Sequence, residues 1–244
     1  MLIQQTLTTL KHLKLSGMAQ AVERQIQQPS LQMLSFDERL GMVVDEELSF
    51  RENRRLTRLL KDAKLRFSDA CMEDVDYDVR RGLDRSQMGG LSRCDWVQHQ
   101  QNILITGATG CGKTWLACAL GNQAARKGYS VLYRRAPRLL ESLAVAHADG
   151  TLPKLRQQLA KADVLILDDW GLAPLNAMAR SDLLEILDDR INTTTTIITS
   201  QLPVSAWHSY IGDPTLADAI LDRLVHTAHH LSLKCDSLRK KKVV

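Results

Sequence analysis

The stretch Gly107-Ala108-Thr109-Gly110-Cys111-Gly112-Lys113-Thr114 limits what this chain can fold into more than any other. It satisfies the pattern G-x-x-x-x-G-K-[ST], follows the apolar run Ile103-Leu104-Ile105, and opens into Leu116, Ala117 and Leu120 at helical spacing. Gly107, Gly110 and Gly112 permit backbone angles and close approaches that let successive N–H groups wrap an anionic phosphate, helped by the positive end of a helix. Lys113 is then expected on the β- and γ-phosphates of a nucleotide, and the Thr114 hydroxyl on Mg²⁺.

A strand–loop–helix unit of this kind needs a parallel sheet around it. After Trp96, short β-rich runs alternate with helical stretches in a βαβα order, which places helices on both faces of such a sheet. Strands are expected at 102–106, 130–134, 163–167, 195–199 and 229–233. From Thr6 to about Arg93 the apolar residues instead recur at three and four, as in Leu7, Leu10 and Leu13 or Leu56, Leu59, Leu60, Ala63 and Phe67, so helices alone are expected there. Ser35 with Glu38 reads as a capping box opening a helix that runs, with interruptions, toward Phe67, and Pro29 separates it from the helix before. The boundary falls between Leu91 and His99, giving a helical region at 1–95 and an α/β domain at 96–244. At 244 residues the chain has room for one core plus an extension.

The apolar strand Val164-Leu165-Ile166-Leu167 ends in Asp168-Asp169, as when a buried strand delivers carboxylates to a nucleotide at the C-terminal edge of a sheet. Asp168 suits the Mg²⁺ shell. Asp169 is the candidate to orient or deprotonate the attacking water, or else it caps the Trp170-Gly171 turn. The run Thr196-Ile197-Ile198 leads into Thr199-Ser200-Gln201, where Ser200 and Gln201 either sense the γ-phosphate or form a turn. Arg223 lies on a helical stretch that gives it no route to its own phosphates. It acts on a neighbour's phosphates in trans, making activity depend on assembly, or it forms an ordinary surface ion pair.

Composition narrows the class. With 44% hydrophobic and 25% charged residues the chain is neither collagen-like, mucin-like nor wholly disordered. The Met1 end lacks a secretory pattern, and no apolar run approaches the roughly 18 residues of a membrane span. Five cysteines without a C-x-x-C pair fit a reducing compartment, so a cytoplasmic protein is expected. His226, His229 and His230 with Cys235 match no closed zinc spacing. The 32 Lys and Arg against 28 Asp and Glu give +4, and Arg239 to Lys242 alone carry four positive charges. That tail reads as a solvated terminus or as an arm for phosphates. Arg51, Arg54, Arg55, Arg58 and Lys61 share one side of a helix, which either tracks a phosphate backbone or is complemented by Glu73, Asp74, Asp76 and Asp78.

The phosphate loop paired with Leu165-Ile166-Leu167-Asp168-Asp169-Trp170-Gly171 resembles the AAA+ P-loop ATPases related to DnaC helicase loaders. Phe36-Asp37-Glu38-Arg39-Leu40, Ala63-Lys64-Leu65-Arg66, Asp76-Tyr77, Arg81-Gly82-Leu83-Asp84, Ser200-Gln201-Leu202-Pro203, Trp207-His208 and Ile220-Leu221-Asp222-Arg223-Leu224-Val225-His226 are similar to the IstB transposition helpers of insertion sequences. The resemblance spans nearly the whole chain. It implies an ATPase using ATP and Mg²⁺, a strand order of 5-1-4-3-2, self-assembly on double-stranded DNA, and recruitment of a cognate transposase. It places Asp168 and Asp169 as the Walker B pair, Ser200 and Gln201 at sensor one, Arg223 as the trans-acting arginine, and Arg239 in a C-terminal Ser-x-Arg element. Two departures stand out: an Asp where AAA+ proteins commonly carry a second Glu, and Cys235 where relatives often have Gly. A DnaC-like loader of a replicative helicase is the alternative on the same core. A small-molecule P-loop kinase would need an arginine-rich lid, which the sequence lacks.

Overall fold

The computed structural model describes residues 2–77 and 82–234, and the chain divides into two compact units, Met1–Arg58 and Leu59–Val244. The first contains α1 (Leu2–His12), α2 (Ser16–Gln27) and most of α3 (Phe36–Ala63), with a 3₁₀ turn at Pro29–Met33. The expected capping box is present: Ser35 N–H donates to Glu38 Oε2 at 2.8 Å, and Glu38 N–H donates to Ser35 Oγ at 3.3 Å. α3 runs unbroken but stops short of Phe67, because Lys64 takes a left-handed φ of 52°. α2 and α3 meet at Gly17, where a β-carbon would lie 2.7 Å from the backbone of Glu46 and Glu47. The start of α2 has no side-chain cap of its own. Buried Glu47 supplies one from α3, accepting from Met18 N–H at 3.0 Å and from Arg51 Nε at 2.7 Å.

The second unit carries α4 (Arg85–Ser92), α5 (Asp95–Gln98), β1 (Ile103–Gly107), α6 (Lys113–Arg126), β2 (Val131–Arg135), α7 (Ala136–Asp149), α8 (Leu152–Lys161), β3 (Val164–Trp170), α9 (Ala177–Asp188), β4 (Thr195–Ser200), α10 (Trp207–Ile211), α11 (Pro214–Val225) and β5 (His229–Leu233). The five strands are parallel, and their order β2-β3-β4-β1-β5 is the expected 5-1-4-3-2 read from the other edge. Strand side chains alternate between two cores. Ile103, Ile105, Ile166 and Ile197 pack with Leu116, Ala117 and Leu120 of α6. Leu104, Leu165, Leu167 and Ile198 pack with α7, α9 and α11 through Leu139, Leu183 and Ile220.

Ala63, Met88 and Leu91 join the α6 side, so residues 59–95 share a core with the α/β sheet rather than with α1 and α2. Between α9 and β4, Arg190 is buried and ties two elements together. Its guanidinium donates to Leu159 O and Ala162 O at the end of α8 and to Thr195 O and Thr196 Oγ1 at the start of β4, at 2.5 to 3.2 Å. Burial pushes its pKa down to about 9. Arg51, Arg54, Arg55, Arg58 and Lys61 are all exposed along α3. Glu73 pairs with Arg126 at 3.3 Å. His229 Nε2 lies 2.9 Å from Gln101 Oε1, and among the described residues no His, Cys, Asp or Glu cluster suits a metal. Asp78, Cys235, Arg239 and the basic tail lie outside the described residues, within which no helix is long and apolar enough to cross a membrane.

Candidate nucleotide site

β1 delivers Gly107 at the C-terminal edge of the sheet with φ 147°, and a β-carbon there would run into the Leu233 carbonyl of β5. Gly110 and Gly112 also take positive φ, and α6 starts on Gly112 with no side-chain cap. The N–H groups of its first turn are therefore left to the loop. Lys113 Nζ donates back to Gly107 O at 2.8 Å and Ala108 O at 2.9 Å. Cys111 is turned wholly into the core, so this position offers the loop only its backbone. Thr109 Oγ1 donates to Gln201 Oε1 at 2.7 Å across the loop mouth.

Asp168 falls on the same strand face as Ile166, toward α6, and is fully buried. Its Oδ1 accepts from Thr114 Oγ1 at 2.8 Å and Thr199 Oγ1 at 2.5 Å, and its Oδ2 accepts from Tyr133 OH at 2.6 Å. Burial, then the hydrogen bond to Asp168, pushes the Tyr133 phenol up from its ordinary value. It stays a donor at neutral pH. The carboxylate is held by three hydroxyls on three different elements.

Alternation alone would aim Asp169 into the opposite core. Instead β3 bulges here: Leu167 pairs with Ile198 and Trp170 with Ser200, so three steps on β3 match two on β4. Asp169 is the extra residue, with a left-handed φ of 62°. The bulge brings its carboxylate to the cavity, where Oδ2 accepts from Arg135 Nε at 2.9 Å and Nη2 at 2.6 Å. That hydrogen bond raises the Arg135 pKa. Asp169 N–H donates to Thr199 Oγ1 at 3.1 Å, so one threonine bridges both aspartates. The side chain of Asp169 pairs with Arg135 rather than capping the Trp170-Gly171 turn.

A cavity of about 590 Å³ opens over these groups, walled by Arg66, Phe67, Trp115 and Leu172 besides Lys113, Thr114 and Asp169. Gln201 reaches it. Ser200 does not: it is fully buried, donates to Trp170 O at 2.8 Å and accepts from Leu202 N–H at 3.0 Å, on the strand face opposite Thr199. Arg223 is also remote. It sits beside Asn102 and Arg190 at the N-terminal edge of the sheet, paired with Asp188 and donating to Ala219 O at 2.6 Å.

Residues 8–244 match the family of IstB-like ATP binding proteins. The chain belongs to that family. This IstB-like chain is 52% identical over 240 residues to a Sinorhizobium fredii protein named as an insertion-sequence ATP-binding protein, covering 98% of each. It is 55% identical over 205 residues to a Pseudomonas fluorescens protein named for ATP binding and for insertion sequence IS1162, covering 84% of this chain and 89% of that one. Among solved structures, the DnaC helicase loader shares the AAA+ P-loop fold, with a TM-score of 0.56 and 21% identity, covering 69% of this chain and 99% of that chain. A DNA replication initiation factor shares it too (TM-score 0.55, 18% identity), although this chain spans only 50% of that protein.

The residues of the IstB-like site fit a magnesium nucleotide. The Thr114 hydroxyl and the Asp168 carboxylate are hard oxygen donors side by side, beside an ammonium and a glycine-built loop that a β-carbon would obstruct. Tyr133 and Arg135 escape a reading by motif, and Arg66, though in a segment similar to the family's, is given no place at the nucleotide by that similarity. Arg135 was traceable in principle, since a 5-1-4-3-2 order sets β2 beside β3, and Arg135 then falls opposite Asp168. Thr199 and Ser200 were separable by strand alternation alone.

Proposed function

We propose that this chain is a magnesium-dependent ATPase of an insertion sequence, which assembles on double-stranded DNA with composite ATP sites and recruits its transposase. The observation that carries the reading is the 2.8 Å contact of Thr114 with Asp168 at the mouth of the phosphate loop. Magnesium bound there supplies charge neutralisation to a phosphoryl group in transfer. Lys113 exchanges the Gly107 and Ala108 carbonyls for phosphate oxygens. Thr114 and Asp168 hold the metal, Thr199 keeps Asp168 and Asp169 in fixed relation, and Asp169 takes the proton of the attacking water once Arg135 releases its carboxylate. Gln201, tied to Thr109, senses the occupied loop.

Arg223 has no path to its own loop, so it serves a neighbouring subunit's phosphates. The exposed arginines of α3 supply a surface for the DNA backbone, and the relatives' names favour a transposase over a helicase as the partner. Lys113→Ala is expected to abolish nucleotide binding by calorimetry and, with it, ATP-dependent co-purification of the element's transposase. Binding retained by that variant, or capture of a hexameric helicase instead, overturns the reading.

A further inference from the structure

The segment that follows α3 enters the nucleotide site. Ala63 is fully buried, Leu65 lies over Gly121 of α6, and Ser68 O accepts from Asn122 Nδ2 at 3.1 Å. These anchors on α6 bracket Arg66. Its side chain lines the cavity beside Lys113 and Thr114, with Nη1 3.9 Å from Asp168 Oδ2. Asp168 already holds three hydroxyls. At 3.9 Å, Arg66 is a charge neighbour to that carboxylate rather than a hydrogen-bond donor. The phosphate loop, the Walker B pair and the trans arginine leave it without a part.

Arg66 is 43% exposed toward the cavity, on a long side chain with freedom to turn. A divalent cation at Thr114 and Asp168 cancels the attraction that holds the guanidinium there and repels it. Asp74, Asp76 and Asp169 line the same cavity, but each carries a single negative charge, whereas the terminal phosphate on Lys113 carries more and is the stronger attractor for a guanidinium. We propose that Arg66 is a second phosphate-contacting cation of this site, acting in cis, which passes from Asp168 to the terminal phosphate of Mg·ATP. It rests on the reading that the cavity takes Mg·ATP. Because Arg66 stands three residues beyond α3, the third phosphate would be registered at the end of the helix that carries the basic face.

The test compares Mg·ATP and Mg·ADP binding by calorimetry in the full chain, in Arg66→Ala and in Arg66→Lys, with thermal unfolding as the check on folding. Losing a charge-assisted contact made only to the third phosphate raises the Kd for ATP about tenfold in Arg66→Ala, while the Kd for ADP changes less than about twofold. Arg66→Lys, which keeps the charge and serves if the alanine variant does not fold, falls between. An ATP-to-ADP affinity ratio equal to that of the unsubstituted chain overturns the proposal, whether both affinities hold or both fall together. An unsubstituted chain that binds neither nucleotide overturns the site reading itself.

Discussion

Asp168 and Asp169 are adjacent in sequence and opposite in circumstance. Asp168 is sealed among hydroxyls, which suits a fixed metal ligand, whereas Asp169 is drawn out by a bulge and held by one arginine it can release. Asp169→Asn should therefore keep the Kd for ATP within about twofold and lower phosphate release at least about a hundredfold, the lower end of the usual contribution of a general base. Binding by calorimetry and a phosphate assay separate the two. Glu47 is the other carboxylate with a measurable signature. Burial raises its pKa, but hydrogen bonds from Arg51, Met18 and Gly17 outweigh this and leave it below the ordinary 4.5. A depressed carboxylate stabilises the fold above its unfolded pKa and loses that contribution as pH falls through the folded one. Glu47→Gln should thus flatten the loss of helicity of the first unit between about pH 5 and 3, followed by circular dichroism. Lys113, Thr114 and Asp168 were legible in the sequence because each belongs to a motif whose spacing fixes its neighbours. Tyr133 and Arg135 were not, because their contacts arise from strand adjacency, and the place of Arg66 at the cavity was not, because it comes from a segment folded back on α6.

At the scale of elements, burial and alternation decided what the sequence made readable. All five strands lie within a residue of their expected starts, since each is a short run with apolar residues on alternate positions; β1 to β4 feed both cores, and β5 feeds the α6 side alone through Leu231 and Leu233. The bulge in β3 left no such mark, because Leu167-Asp168-Asp169-Trp170 reads equally well as regular strand. Ser35 and Glu38 marked the start of α3, but Lys64 gave no warning of its end. Arg190 shows how an element can depend on one side chain. Its four hydrogen bonds join α8 to β4, and Arg190→Met leaves those acceptors buried and unmatched. The expected loss is about 3 kcal/mol or more, read as a lower midpoint in urea denaturation. An unchanged midpoint would mean that the carbonyls find other donors.

The whole molecule is an IstB-like chain of two compact units with α3 running from one into the other. The sequence marked a change of texture near Trp96, yet the core of the second unit reaches back to Leu59, because α3's last turn and α4 cover α6. Texture follows local periodicity, while the division of a chain follows which apolar faces meet. The +4 charge is local: it equals the four charges of Arg239 to Lys242, while the exposed arginine face on α3 is balanced by acidic residues of the same helical region. Arg223 and the phosphate loop sit at opposite edges of one sheet, so a single chain cannot bring them together. The most direct test of an ATPase that completes its sites by assembly mixes two inactive chains, Lys113→Ala and Arg223→Gln, and measures phosphate release with DNA present. The mixture is predicted to recover part of the unsubstituted turnover, because the two variants together can form an intact composite site. No recovery at any ratio or concentration, with both variants folded, would contradict it.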